Sequence, residues 1–194
     1  MSTQLSRILA FAGSTRRESF NGRLLQIAAQ GAQDAGADVT HVDLRDYPLP
    51  LFDQDLEREQ GTPVNATRLK QLFVEHQGLL IAAPEYNSSI TPLLKNTIDW
   101  VSRRADGEPP LAAYQGKVAA LLSASPGALG GLRGLVHVRA ILGNIGVVVL
   151  PDQLAIPRAH EAFADDGSLK DEKKQQAAQG IGRKLAEFLA RLEG

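Results

Sequence analysis

Three short stretches of the chain gather side chains able to bind or polarise a ligand. The first, GSTRRESFNG (13–22), offers hydroxyls on Ser14, Thr15 and Ser19, the amide of Asn21 and the guanidinium of Arg16, and it leads into a helical pattern. A helix N-terminus carries unpaired N–H groups and the positive end of the helix dipole, so this loop suits an anion. Hydroxyls, an amide and a guanidinium together suit the several oxygens of a terminal phosphate. The G-x-G-x-x-G spacing of a dinucleotide fingerprint is absent. So is the G-x-x-x-x-G-K-[ST] loop, whose lysine reaches nucleotide phosphates. A phosphate monoester is the expected ligand, although Ser, Thr and Asn also cap helices that bind nothing.

The second stretch, PEYNSSITPLLKN (84–96), follows the apolar run GLLIAA (78–83). Pro84 cannot donate to a strand ladder and so ends that run. Glu85, Tyr86, Asn87, Ser88 and Ser89 then place polar side chains and backbone amides at its mouth. Thr91 is expected to cap the next helix, with Pro92 at its first position. Leu93, Leu94, Ile98 and Val101 supply a buried face, Lys95 and Asp99 a surface pair, and Trp100 goes to the core or an interface. The third stretch, SASPGALGGLRG (123–134), begins at Ser123, where another apolar run ends, and carries Gly127, Gly130, Gly131 and Gly134. Bare backbone approaches a flat ligand closely; a flexible loop before a helix has the same composition.

Other chemistries find little support. The 194 residues include no cysteine, which removes thiol nucleophiles, zinc–thiolate sites, iron–sulfur clusters and disulfides. Neither H-E-x-x-H nor an Asp/His cluster suggests a metal, so none is expected. G-x-S-x-G is absent, and His41, His76, His137 and His160 fall away from the three loops or inside helical segments. Glu85 has no acidic companion at another strand end, against a glycosidase pair. A net charge of −1 and 5% aromatics favour neither nucleic acid nor an anionic membrane. The N-terminal MSTQLSR lacks an apolar leader core, and no run approaches the roughly 18 apolar residues of a membrane span. A cytoplasmic protein is expected, in keeping with the missing cysteines. A crevice with donors and glycines but no acid–base machinery suits a cofactor that carries the chemistry itself.

These loops must be held by regular elements. Apolar runs predict strands at 7–13, 39–44, 78–83, 117–125 and 147–150. Helical spacing predicts helices at 21–35, 63–76, 91–104, 130–142 and 170–192, while RDYPLPLFDQD (45–55) is too broken by proline for an element. Strand–helix alternation with continuous apolar strands predicts one domain, 1–194, built on an open five-stranded parallel sheet with helices on both faces. In such sheets ligands sit at the carboxyl ends of the strands, where the three loops fall.

GSTRRESFN resembles the GSxRxxSxN phosphate loop of the NAD(P)H-dependent FMN reductase family, and PEYNSSITPLLKNTIDW its PEYNxSxPGxLKNAIDW signature. DLRDYPLPLFDQD and SASPGALGGLRG resemble two further family segments, all four in family order. Thr91-Pro92 replaces the usual Pro-Gly, and Ser88 stands where the family often has another small residue. The resemblance implies a flavodoxin-like, doubly wound sheet of order 2-1-3-4-5. It also implies FMN as cofactor, NADPH or NADH as co-substrate, and quinones, chromate, azo compounds or free flavin as acceptors. It places the FMN phosphate on Ser14, Arg16, Ser19 and Asn21, with Phe20 alongside. The isoalloxazine would lie against Pro84, Glu85, Tyr86 and Asn87, near Ser88 and Ser89, with Ser123, Gly127, Gly130 and Gly131 closing the other side. No side chain is then catalytic. A homodimer or homotetramer is implied, with Trp100, Arg103, Arg104 and 105–116 as interface material. The alternatives are a flavodoxin-type electron carrier, which is typically strongly acidic, and a non-enzymatic FMN-binding module.

Overall fold

The computed structural model describes residues 5–193; Met1–Gln4, part of the N-terminal segment read above, and Gly194 lie outside them. Five parallel strands form one sheet in the order β2-β1-β3-β6-β7: β1 (Arg7–Ala12), β2 (Asp38–Val42), β3 (Gly78–Ala82), β6 (Val118–Ala124) and β7 (Val148–Ile156). A separate antiparallel pair, β4 (Glu85–Tyr86) and β5 (Ser89–Ile90), follows β3. Helices α1 (Phe20–Asp34) and α7 (Glu172–Glu193) cover one face; α3 (Val64–Glu75), α4 (Pro92–Val101) and α5 (Leu132–Asn144) cover the other. The short helices α2 (Gln54–Gln60) and α6 (Ala159–Ala162) complete the set.

Alternate residues of each central strand feed alternate cores. Ile8, Ala10, Leu80, Ala82, Ala120 and Leu122 pack under α1 and α7. Leu9, Phe11, Leu79, Ile81, Ala119 and Leu121 pack under the other helices. A strand covered on both faces must be apolar at every position, which is why the runs are continuous.

Three sequence expectations change. The Pro-rich stretch does contain structure: a 3-10 turn at Leu44–Asp46, then α2. Asp53 caps α2 by accepting from the Asp55 and Leu56 N–H groups at 2.7 and 3.3 Å, and none of its residues is buried, so no apolar stripe marks it. The last strand does not stop at 150. Pro151 has no N–H for the ladder, so the pairing with β6 jumps from Val149 to Gln153 and then runs to Ile156. Trp100 is fully buried and offers no interface: its Nε1–H donates to the Pro50 carbonyl at 2.7 Å. Asn96 binds the same loop from both ends, its side-chain N–H donating to Pro50 O and its Oδ1 accepting from Phe52 N–H, each at 2.8 Å. Among the described residues no helix is long and apolar enough to cross a membrane.

Candidate functional site

The loop after β1 is pinned before it begins to turn. Gly13 N–H donates to Ala82 O at 2.9 Å, and the Thr91 hydroxyl donates to Gly13 O at 2.8 Å. Thr91 also caps α4, accepting from Leu94 N–H at 3.2 Å, with Pro92 in the first turn as the sequence predicts. Ser14 Oγ accepts from Arg16 N–H at 3.3 Å, which folds the loop into a tight turn. Ser19 is buried and caps α1, its Oγ accepting from Gly22 N–H at 3.2 Å. Thr15, Arg16 and Arg17 are exposed around the rim, and neither arginine has an ion-pair partner among the described residues. The Arg16 guanidinium lies 5.8 Å from the Phe20 ring centre, and Phe20 stacks on Phe163 at 6.0 Å.

Asn21 serves a different purpose from the one its type suggests. It is buried, its amide N–H donates to Ala124 O at 2.8 Å, and its Oδ1 accepts from Ala124 N–H at 3.0 Å. Both ends of the side chain thus fasten the start of α1 to the end of β6.

PEYNSS folds into a hairpin rather than an open lip. Asn87 and Ser88 have φ of 49° and 68°, the left-handed pair of a two-residue primed turn. Glu85 turns back to α5. Its Oε1 accepts from the Nε–H and an Nη–H of Arg133 at 3.1 and 2.8 Å, and its Oε2 from Gly134 N–H at 2.9 Å. Burial acts to raise the Glu85 carboxyl, but the Gly134 N–H and the Arg133 guanidinium outweigh it and hold the group below its ordinary value. Glu85 is therefore a carboxylate at neutral pH with its oxygens engaged. Ser89 Oγ meets His137 Nδ1 at 2.9 Å. Pro84 is buried, Ser88 is half-buried, and Tyr86 and Asn87 are exposed.

The loop after β6 packs closely. Ser123 is fully buried and donates to Ala83 O at 2.7 Å, so its hydroxyl is spent between two strand ends. Gly131, at φ 92°, lies directly over it, where a Cβ would stand 1.9 Å from Ser123 Oγ. Gly134 lets α5 approach the hairpin, since a Cβ there would sit 3.3 Å from both Glu85 Cβ and Ser89 O. Gly130 backs onto Ile156 and Pro157, whereas Gly127 opens outward and accepts from Arg158 N–H at 3.2 Å.

The three predicted loops thus meet at one end of the sheet, joined by Asn21 to Ala124, Thr91 to Gly13 and Glu85 to Gly134. Arg133 and His137, four apart on α5, were not among the sequence candidates although both reach the hairpin. Their shared helix face was the available signal. The donor set fits a phosphate monoester. Ser14, Ser19 and the guanidiniums of Arg16 and Arg17 line one cleft at a helix start, and among the described residues no carboxylate pairs with Arg16 or Arg17.

A family model described as NADPH-dependent FMN reductase matches residues 6–161. An NAD(P)H-dependent FMN reductase of Pseudomonas aeruginosa is 34% identical over 189 residues, covering 97% of each chain. An Arabidopsis thaliana NADPH:quinone oxidoreductase is 31% identical over 98% of this chain and 95% of its own. Among solved structures, the Paracoccus denitrificans flavoenzyme NAD(P)H:(acceptor) oxidoreductase superposes with a TM-score of 0.79 at 28% identity, covering 96% of this chain and 98% of the other.

Proposed function

The chain belongs to the NADPH-dependent FMN reductase family, and from that premise we propose that its three fastened loops form the flavin site of an NAD(P)H oxidoreductase acting on quinones and similar small acceptors. The observation that carries the site is the unpaired Arg16 beside the capped start of α1. When bound, FMN supplies two-electron transfer between a nicotinamide and an acceptor.

The chain's own residues bind and orient. Ser14, Ser19 and Arg16 hold the phosphate at the positive end of α1, and Asn21 acts by keeping that helix against β6. The Asn87–Ser88 turn, clamped to α5 through Glu85, fixes the backbone of 85–88 beside Pro84, and its N–H groups would stabilise negative charge on a flavin held there. Preorganised dipoles of this kind need no reorganisation during the reaction. Glu85 is ionised and fully engaged, so it neither gives nor takes a proton near neutral pH. The missing cysteines support a reducing compartment such as the cytoplasm.

The test is the visible spectrum of the purified protein, followed by NADPH oxidation with a simple benzoquinone. A yellow protein with steady turnover is expected; a carrier or a binding module would not turn over unaided. Arg16→Ala should weaken FMN binding about 10- to 100-fold, the range for losing one charge-assisted contact. A colourless protein indifferent to added FMN would defeat the proposal, as would an Arg16→Ala variant holding flavin as tightly as wild type.

A further inference from the structure

The hairpin after Pro84 cannot hold its own shape. Strands β4 and β5 have two residues each, and a hairpin that small is marginal in water. Its turn is unfavourable as well. Asn87 and Ser88 both lie at positive φ, a region that residues with a Cβ enter only at a cost in free energy. Contacts from outside the hairpin must therefore impose the turn.

Helix α5 supplies them on both arms. On the first arm, Arg133 donates its Nε–H and an Nη–H to Glu85 Oε1, while Gly134 N–H donates to Oε2. On the second, Ser89 Oγ and His137 Nδ1 lie 2.9 Å apart. Exposed ion pairs usually contribute little. This pair differs, because the Glu85 side chain is only 8% exposed. Without Arg133, a nearly buried carboxylate would keep Gly134 N–H as its one donor, and a charge left short of partners drives its surroundings to rearrange. Arg133 is 56% exposed and makes no other ion pair among the described residues, so its influence passes through Glu85.

We propose that Arg133 is a positioning residue that sets the reduction potential of the bound flavin. Acting through Glu85, it holds the unfavourable turn so that the N–H groups of 85–88 favour the reduced, negatively charged ring over the oxidised one. The assignment rests on the reading that FMN lies beside Pro84. It adds a residue of α5 that tunes the flavin without having to touch it.

The test is the midpoint potential of the FMN-loaded, full-length protein, read against a dye of known potential. Arg133→Gln should weaken the binding of reduced FMN relative to oxidised FMN about tenfold, the scale of one hydrogen bond to a charged group. For a two-electron couple that lowers the midpoint by about 30 mV. Arg133→Lys keeps the charge but not the paired N–H donors, so it should restore the potential only in part. The double variant Glu85→Gln with Arg133→Gln carries neither charge and should stay low, because the clamp is still broken. In the flavin-free protein, the amide NMR signals of Asn87 and Ser88 should move in Arg133→Gln. An unchanged midpoint in Arg133→Gln, even with a fall in urea stability, would reduce the pair to a structural contact and overturn the assignment. So would amide signals that stay in place, or a double variant that returns to the wild-type potential, which would make the effect one of charge alone. A wild type that takes up no FMN would defeat the flavin reading and this assignment with it, and that outcome shows in the spectrum before any potential is measured.

Discussion

Lys117 shows how a single residue can record the cost of its position. It is 8% exposed where the chain enters β6, and its ammonium donates to His76 O at 2.5 Å. His76 is buried in turn, joined through Nδ1 to Leu72 O at 2.6 Å and through Nε2 to the Thr40 hydroxyl at 2.8 Å. Burial pushes the Lys117 ammonium down from 10.5 to about 8. Between those values the unfolded chain keeps a proton that the folded chain has released, so this residue's contribution to stability rises with pH across that window. Below it both states are protonated and the full cost of burying the charge is felt. Urea unfolding of wild type and Lys117→Met from pH 8 to 10.5 should therefore show wild type gaining on the variant as pH rises. A stability difference that stayed constant, or moved in the variant's favour, as pH rises would mean that the folded ammonium is as well solvated as the unfolded one. Residues whose role is local were legible before the structure: Thr91 and Pro92 announce a helix start within their own four letters. Asn21 and Ser123 were not, because their partners lie 103 and 40 residues away and both polar groups are consumed there rather than in the crevice.

Elements depend on approach distances that residue type alone hides. Helices α1 and α7 cross so closely that a Cβ at Gly31 would lie 2.0 Å from Gln179 O, and one at Gly182 would lie 1.8 Å from Ala28 O. Both obstacles are backbone, so an added methyl must push a whole helix. Gly31→Ala or Gly182→Ala should cost about 1–3 kcal/mol or more in urea denaturation, the scale of overpacking. Gly180, on the same helix, has nothing within 4 Å of its would-be Cβ. There alanine should stabilise by about 0.5–1 kcal/mol through helix propensity. If all three substitutions behaved alike, close crossing would not be what holds these glycines. The same contrast explains which elements could be read from sequence. Buried strands announce themselves as unbroken apolar runs because both faces are covered. Helix α2 buries nothing and so has no stripe; Asp53 at its start, Asp55 and Glu57 in its first turn and Gly61 at its end were its only marks. The hairpin strands are two residues each, and their turn is Asn-Ser rather than the recognisable Asn-Gly.

For the whole molecule, the strand order explains why three loops distant in sequence converge. Strands β1, β3 and β6 are neighbours at the middle of the sheet, so the loops leaving their carboxyl ends share one crevice. The alternation of elements implied a parallel sheet, whereas the order came from the family resemblance, since periodicity says nothing of which strand lies beside which. The surface beside that crevice carries a last consequence. Tyr86, Leu129, Leu132 and Val136 are 53, 49, 42 and 58% exposed, on the hairpin, the turn before α5 and α5 itself, and the hairpin and α5 pack together. Clustered exposed apolar groups next to a site mark surfaces that other molecules cover. The family resemblance implies a homo-oligomer, but with Trp100, Arg103, Arg104 and 105–116 as interface material; the exposed apolar cluster leads us to expect a second copy of the chain here instead. Val136→Glu should then sediment as a single 20.8 kDa chain where wild type sediments as a dimer or larger. Val136 makes none of the contacts that fasten the three loops, so the variant should fold and its spectrum can be read. Flavin lost together with assembly would place the partner's surface against the crevice; flavin retained would confine the partner to stability. A wild type that sediments as one chain would leave the patch to the acceptor, and Val136→Glu should then raise the KM for an apolar quinone while leaving that for NADPH in place.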